Sequence, residues 1–356
     1  MTPGQSRERR ELATRRRRRR RRLGVAASLI VLIALVLGAV ALSKGSSGGH
    51  HDTPIGTLTR AAGKPLQPLL SPAGFVLAKP AFALSGISDP SATPLQVDFH
   101  DPPRAGLLFN LSSGEVLWEH DPHLRLRIAS LTKMMTALVT VKSAPPNAGV
   151  LVTKQAVDSS GSKVGVLPLG RHVRVESMLY GLLLPSGNDA AVALAQHVAG
   201  TISAFVKRMN EQAAALGMSC TKYSSPSGYF DAGNFSCAAD LALLAHVDLE
   251  QPRIARIVRT YMAVLPFPIK GGKLYLDNNN PLLIYHYPGT TGLKTGYTMA
   301  AGRCLVATAE RDGVRLGVVL LNSLDPGTQA RQLLDRGFTD VYHLKPVPEP
   351  PIPPGA

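Results

Sequence analysis

The chain has 356 residues, a length typical of about two domains, and a formal net charge of +15 at pH 7. That charge is uneven, because residues 1–22 hold eleven arginines and two glutamates and leave a net charge of only +6 for the rest. A folded nucleic-acid-binding domain clusters its basic residues on one surface. The remaining basic residues form no such stripe, so the sequence argues against nucleic acid as a partner.

An apolar segment without charge, residues 23–42, follows the arginines. Twenty helical residues span about 30 Å, the thickness of the hydrocarbon core of a bilayer. We predict a transmembrane signal-anchor with residues 1–22 in the cytoplasm, since positive flanks stay on that side. The alternative is a signal peptide cleaved after Ala41, in the small-residue motif Ala39-Val40-Ala41. Both readings place the bulk of the chain outside the cytoplasm.

The rest of the chain divides into three segments by composition. Residues 43–95 are rich in Gly, Ser, Pro and Ala and predict a linker, residues 96–341 show ordered patterns, and residues 342–356 form a proline-rich tail. Cysteines in an exported protein can pair. Cys220 and Cys237 bracket a loop-like stretch, and the sequence leaves their pairing open. Cys304 lies in an apolar strand pattern and is predicted to be a buried thiol.

Strand patterns occur at both ends of the folded region and helix patterns occur between them. Strands are predicted over 105–110, 115–120, 293–298, 304–310 and 314–322, and helices over 131–141, the second half of 173–184, 190–198, 202–216, 238–248 and 327–338. The economical architecture is an antiparallel sheet built from both termini and flanked by helices, with a helical insert: an α/β chain of the α+β type.

The helix that starts near Ser130 carries the first candidate site. From Leu131 to Val141 it is apolar on nearly every face, which is typical of a buried helix. Serine is favoured as an N-cap, and Lys133 follows three residues later on the same face as Ser130. A buried lysine is costly unless it has a partner or a function. Taken alone, this S-x-x-K pattern is more typical of a capped core helix with a snorkelling lysine than of an active site.

Two further motifs change that interpretation. Ser186-Gly187-Asn188 occupies a tight connection between two helices, and Lys294-Thr295-Gly296 lies on a predicted strand. Each is weak alone, since the first is a helix corner and the second a strand with a glycine. In the order S-x-x-K, S-x-N, K-T-G they match the motif set of penicillin-binding proteins and class A β-lactamases.

The surrounding sequence extends this likeness. The segments IASLTKMMTALV, MLYGLLLPSGNDAA and GLKTGYT resemble the serine D-alanyl-D-alanine carboxypeptidases, the low-molecular-mass penicillin-binding proteins of the peptidase S11 family. The middle motif is S-G-N, as in that group, and not the S-D-N of class A β-lactamases. The resemblance covers about residues 95–341. It implies a serine β-lactamase or penicillin-binding-protein-like fold, with residues 96–341 as the D,D-peptidase catalytic domain.

The resemblance also implies roles for the motif residues. Ser130 is the expected nucleophile and Lys133 its base, because burial and the ammonium group of Lys294 both disfavour a charged Lys133. Ser186 is expected to relay a proton, and Asn188 to donate to the peptide carbonyl and brace the lysine.

The strand motif is expected to bind the end of the substrate. Lys294 and Thr295 suit a terminal carboxylate, with Lys294 kept cationic, and Gly296 lets the backbones approach closely. The N–H groups of Ser130 and Tyr297 are implied as the oxyanion hole.

We therefore expect a serine-type hydrolase that removes the terminal D-alanine from peptidoglycan pentapeptide stems through an acyl-enzyme and is acylated by β-lactams. Its expected partners are stem peptides, β-lactam inhibitors and the cytoplasmic membrane; no metal or organic cofactor is expected. The expected location is the cell membrane, or the cell wall if the chain is cleaved after Ala41. The sequence leaves open a D,D-endopeptidase or transpeptidase, a β-lactamase on the same scaffold, and a non-catalytic muropeptide-binding protein.

Overall fold

A computed structural model describes three stretches of the chain: residues 82–87, 93–229 and 233–348. All three belong to one compact unit that spans residues 73–356. The unit is a central antiparallel sheet with helices on both faces, as the sequence pattern predicts.

Residues 1–22, residues 23–42 and most of the predicted linker lie outside the described residues, so the predictions made for them stay predictions. Within the described stretches, no single helix has the length and apolar composition needed to cross a membrane. One pair of helices, Asn188–Ala199 and Ile202–Ala215, passes that test jointly, with a bend of 85° between them.

Eleven strands lie within the described residues. In chain order they are β1 (Ala105–Asn110), β2 (Val116–His120), β3 (Leu126–Arg127), β4 (Gly149–Leu151), β5 (His172–Arg174), β6 (Phe235–Ser236), β7 (Met262–Pro266), β8 (Lys273–Asp277), β9 (Thr290–Thr298), β10 (Gly302–Arg311) and β11 (Val314–Ser323). The main sheet has the order β2-β1-β11-β10-β9, and the other strands form two-stranded ribbons. The first and last parts of the chain therefore share one sheet, which confirms the prediction.

The α-helices of the described stretches are α1 (Thr132–Ser143), α2 (Lys154–Val157), α3 (Val175–Leu183), α4 (Asn188–Ala199), α5 (Ile202–Ala215), α6 (Ala238–Leu249), α7 (Pro252–Val258), α8 (Pro281–Ile284) and α9 (Pro326–Arg336). Strand residues alternate between two cores, since successive side chains point to opposite faces. Leu107 and Phe109 of β1 pack with the helical region that includes α1, whereas Leu108 packs with Leu333 of α9 on the other face.

The central helix α1 begins one residue later than a serine cap requires. Ser130 lies inside a short 3-10 turn, Ala129–Leu131, and Leu131 occupies the N-cap position of α1 without any side-chain cap. The prediction that Ser130 caps this helix is therefore wrong. Ala129 turns the chain at φ +46°, so the helix does not extend back through Ser130, and the serine hydroxyl remains available to another partner.

The structure decides the pairing that the sequence leaves open. Cys220 and Cys237 form a disulfide with a Cα–Cα separation of 5.7 Å, and it closes the loop that carries residues 224–228. Cys304 lies on β10, is buried as predicted, and takes no part in that bridge.

The described end of the predicted linker packs on the domain. Phe82 is buried against Phe109, with ring centroids 6.4 Å apart, and stacks on His246 at 3.9 Å. Leu95 is also buried. The ordered packing thus starts earlier in the chain than the composition suggests.

Candidate active site

The first motif folds as a hydrogen-bonded pair. The Nζ of Lys133 donates to the Oγ of Ser130 at 2.8 Å and to the backbone carbonyl of Ser227 at 2.8 Å. Lys133 is fully buried, and Ser130 lies half-buried at the wall of a cavity. An amine within hydrogen-bond distance of a hydroxyl has the geometry needed to activate a serine nucleophile. With the Ser227 carbonyl as an acceptor, a neutral amine can donate there and direct its lone pair at Ser130.

Sequence reasoning missed Ser227. Its loop is fixed to α1 by the hydroxyl of Thr136, which donates to the carbonyl of Pro226 at 2.7 Å. Gly228 follows at φ +74°, and a Cβ added there would lie 2.0 Å from the carbonyl oxygen of Ala129. The Pro-Ser-Gly sequence was a turn signal, but nothing local in it specifies a contact with a lysine 94 residues earlier.

Ser186 turns the chain between α3 and α4 and faces the same cavity as Ser130. Its backbone lies at φ +67°, a conformation that costs a non-glycine residue on the order of 1–3 kcal/mol. Its Oγ is buried and has no hydrogen-bond partner within the described part of the chain. A strained residue that holds an unsatisfied hydroxyl at a cavity wall is suited to a reacting group.

Asn188 is the first residue of α4 and is 3% exposed. Its Nδ2 donates to the carbonyl of Ser160 at 2.6 Å, whereas its Oδ1 is buried without a partner among the described residues. The acceptor at Ser160 fixes the orientation of the amide, because two oxygens would repel. The unsatisfied group is thus an acceptor, and the expected donation to a peptide carbonyl would have to use the second N–H.

Lys294 lies on β9 and is 1% exposed. Its Nζ donates to the carbonyl of Thr295 at 2.9 Å. Burial lowers the pKa of Lys294 from its ordinary value to about 7. Burial thus disfavours the ammonium form that is expected from the sequence, and a bound anion would favour it.

The rest of the strand motif lies at the edge of the main sheet, beside the turn that holds Ser130. Thr295, Gly296 and Tyr297 all line the cavity, and Tyr297 is 65% exposed. Only a glycine fits comfortably at 296, because a Cβ there would lie 3.0 Å from the carbonyl oxygen of Ile128 and 3.2 Å from the N of Ser130. The predicted close approach of the two backbones is present.

The cavity has a volume of about 400 Å³. It brings Ser130 and Ser186 together with residues 295–297, while Lys133, Asn188 and Lys294 lie buried beside it. Lining residues that the sequence did not identify include Ser162, Asn279, Tyr285, Arg303 and Asp325. They come from four separate segments of the chain, so no local motif could have marked them.

Within the described residues, one group of potential metal ligands is close enough to share an ion. His123, Cys220 and Cys237 place one ligand atom each within 4.8 Å of one another. The two sulfurs are bonded to each other in the disulfide, which removes them as thiolate ligands.

Comparison with known proteins decides the family. Residues 102–324 match the family model described as D-alanyl-D-alanine carboxypeptidase, Peptidase S11. This chain belongs to that family. The predicted penicillin-binding-protein-like fold is confirmed, since the solved structures it resembles are D,D-peptidases with the same mixed architecture.

Curated relatives are about one-third identical to this chain over the residues that align. It is 32% identical over 252 residues to the D-alanyl-D-alanine carboxypeptidase DacF of Bacillus subtilis, covering 68% of this chain and 64% of DacF. It is 36% identical over 245 residues to the carboxypeptidase DacB2 of Mycobacterium tuberculosis, covering 67% and 82%. A D-alanyl-D-alanine endopeptidase of Pseudomonas aeruginosa is 34% identical, covering 67% and 77%.

Solved structures show the same relationship. A variant of the Streptomyces K15 DD-transpeptidase superposes with a TM-score of 0.63 at 30% identity, covering 68% of this chain and all of that one. The D-alanyl-D-alanine carboxypeptidase from Mycobacterium tuberculosis superposes with a TM-score of 0.64 at 32% identity, covering 73% and 98%.

Proposed function

We propose that this chain is a serine-type D-alanyl-D-alanine carboxypeptidase that removes the terminal D-alanine from peptidoglycan stem peptides and is acylated by β-lactams. The observation that carries the proposal is the 2.8 Å hydrogen bond between the Nζ of Lys133 and the Oγ of Ser130. That pair borders a cavity whose other walls include Ser186 and the strand motif. Membership of the S11 family supports the choice of substrate.

In the proposed reaction, the neutral amine of Lys133 takes the proton of Ser130 as Oγ attacks the penultimate D-alanine carbonyl. The carbonyl oxygen becomes an oxyanion, which the N–H groups of Ser130 and Tyr297 would stabilise. When the C–N bond breaks, the leaving amine receives the proton from Lys133 through the hydroxyl of Ser186. Water then attacks the acyl carbon and returns the proton to Ser130.

The other motif residues would hold the substrate. Protonated Lys294 and the hydroxyl of Thr295 would bind the terminal carboxylate, which every carboxypeptidase substrate carries. Asn188 would accept a hydrogen bond through its unsatisfied Oδ1, from Lys133 or from a substrate N–H. These roles share one requirement: the substrate must lie along β9 with its scissile carbonyl next to Ser130.

Mass spectrometry of the purified protein mixed with a stem pentapeptide tests the reaction directly. We expect loss of one alanine from the peptide and covalent labelling by a fluorescent penicillin. Ser130→Ala should abolish both, whereas Ser143→Ala, an exposed serine at the far end of the same helix, should change neither. An unlabelled wild type, or equal labelling of Ser130→Ala, would reject the enzyme and favour a muropeptide-binding protein.

A D,D-endopeptidase or transpeptidase is the second candidate, because one relative is named an endopeptidase and one structural neighbour a transpeptidase. A transpeptidase differs in that an amine, and not water, attacks the acyl-enzyme. An endopeptidase also uses water, but its leaving group is the cross-linking amine of a second stem peptide and not a free D-alanine. Mass spectrometry separates them when two substrates are used: a transpeptidase would form a cross-linked dimer from the pentapeptide, and an endopeptidase would cleave a cross-linked dimer that is supplied in a second incubation. Rapid turnover of a chromogenic β-lactam would instead indicate a β-lactamase.

We also propose that residues 23–42 tether the enzyme to the cytoplasmic membrane with its catalytic domain outside. The uncharged apolar stretch that directly follows the arginines supports this location. Fractionation of cells that express the full chain is the test, and the protein should stay with membranes washed in high salt. Recovery of a mature chain that starts at Leu42 would show cleavage after Ala41 and reject the anchor.

A further inference from the structure

The corner that holds Ser186 and Asn188 is joined to a separate loop, residues 160–165, by hydrogen bonds in both directions. The loop supplies two acceptors: the Ser160 carbonyl receives the Nδ2 of Asn188 at 2.6 Å, and the Ser162 carbonyl receives its backbone N at 2.7 Å. The next residue, Asp189, supplies acceptors to the loop in return. Each side thus fixes the other.

The carboxylate of Asp189 is 2% exposed. Its Oδ1 accepts from the N of Val164 at 2.9 Å, its Oδ2 from the N of Gly165 at 3.0 Å, and Oδ1 also from the N of Ala190 at 2.9 Å. All three donors are backbone N–H groups, and no salt bridge to Asp189 is found in the described stretches. A carboxylate that bonds only backbone amides specifies the path of the backbone.

The loop lies too close to the corner to shift without disturbing it. Gly161 has φ +82°, and a Cβ there would lie 2.7 Å from the Nδ2 of Asn188 and 2.6 Å from the ring of Tyr229. On the other side, a Cβ at Gly187 would lie 2.7 Å from the Oδ1 of Asp189. Ser162, whose carbonyl accepts from the backbone N of Asn188, also lines the catalytic cavity.

We propose that Asp189 is a positioning residue for the acylation of Ser130. By holding the N–H groups of Val164 and Gly165, it fixes the 160–165 loop, so that the Ser160 carbonyl orients the side-chain amide of Asn188 and the Ser162 carbonyl holds its backbone N–H. The Oδ1 of Asn188 is thereby left as the acceptor for the reacting groups. This inference rests on the proposed acylation chemistry, and it assigns Asp189 an effect that passes through Asn188.

The test is a double-mutant cycle measured as the second-order rate constant for acylation by a fluorescent penicillin. Asp189→Asn replaces one acceptor oxygen with an NH₂ group that opposes a backbone N–H. We expect acylation to slow by roughly tenfold or more, since small misplacements of reacting groups are costly. In an Asn188→Ala background, the same change should slow acylation by less than about threefold, because residues in one network are not additive.

Asp240→Asn is the matched structural control. Asp240 is also buried and accepts from the backbone N of Cys220 at 2.8 Å, but its hydrogen bonds are to Cys220 and Thr221 and not to the 160–165 loop. We expect Asp240→Asn to lower the melting temperature and leave the acylation rate of the folded protein within about twofold of wild type. Equal slowing by Asp240→Asn and Asp189→Asn, or full additivity in the cycle, would overturn the proposal.

Hydrogen exchange keeps the proposal testable if Asp189→Asn does not fold. In the wild type, the amides of Val164 and Gly165 should exchange slowly although the loop is largely exposed. Exchange of these two amides at the rate of an unprotected peptide would overturn the proposal without any variant. A wild type that penicillin does not acylate would instead reject the proposed function and leave the loop contact as a structural fact.

Discussion

Gly228→Ala should disable the active site without a direct contact to substrate. A Cβ at this position would lie 2.0 Å from the carbonyl oxygen of Ala129 and 2.5 Å from the Oγ1 of Thr132. Ordinary contact begins near 3.4 Å, so one of the two segments has to move by about 1.4 Å. Ala129 precedes Ser130, and Gly228 follows the residue that accepts from Lys133. Either movement separates the reacting pair.

The magnitude follows from two separate costs. The φ of +74° costs alanine roughly 1–2 kcal/mol relative to glycine, and a domain of this size should lose roughly 2–4 °C in melting temperature for each kcal/mol. A displacement of about 1 Å at the reacting atoms should slow acylation on the order of 100-fold. The contact with a backbone carbonyl also adds an overpacking cost of about 1–3 kcal/mol. We therefore expect a large loss of rate and a loss of stability greater than the backbone conformation alone would cause.

Gly217→Ala separates the two costs. Gly217 follows α5 at φ +75°, and a Cβ there would meet nothing within 4 Å. It should show the backbone cost alone, with acylation by fluorescent penicillin close to the wild-type rate. If Gly228→Ala acylates within about threefold of Gly217→Ala, the contact between the two loops does not position Ser130 and the reasoning is refuted.

Three further predictions concern charge and the disulfide. The specificity constant kcat/KM for a substrate with a terminal carboxylate should fall as the pH rises above about 7, where Lys294 loses its proton. A substrate whose terminal carboxylate is amidated should lack this fall. Identical pH profiles for the two substrates would exclude Lys294 from carboxylate binding. Burial raises the pKa of Asp248 well above its usual range, so the native state retains a proton that the unfolded state releases. The free energy of unfolding should then decrease by up to about 1.4 kcal/mol per pH unit above pH 4. Asp248→Asn should remove that contribution in urea titrations at pH 5 to 8. The same pH dependence of unfolding in the variant and the wild type would contradict the prediction. Replacing Cys220 and Cys237 by alanine should cost about 3 kcal/mol of stability, because the disulfide closes a loop of 17 residues. The same urea titrations measure this cost. Unchanged stability would show that the bridge does not form.

Several features of the fold followed from sequence pattern alone. Apolar runs with Gly-rich turns located β1, β10 and β11, because strand periodicity and turn chemistry are local properties. The ribbon β7–β8 was not predicted. Its outer face exposes Met262, Val264 and Tyr275, and apolar residues on a solvent face obscure the alternation that marks a half-buried strand.

The sequence by itself determined the family, the sheet made from both termini, and the three motifs that border the cavity, because residue type and spacing encode these directly. Only the tertiary structure decided that Ser227 accepts from Lys133, that Asp189 holds the 160–165 loop, and that the burial of Lys294 lowers its pKa. The physical reason is that these three facts depend on backbone groups and burial. Every residue carries the same N–H and C=O, so a sequence names the side chains but not which distant carbonyl meets them.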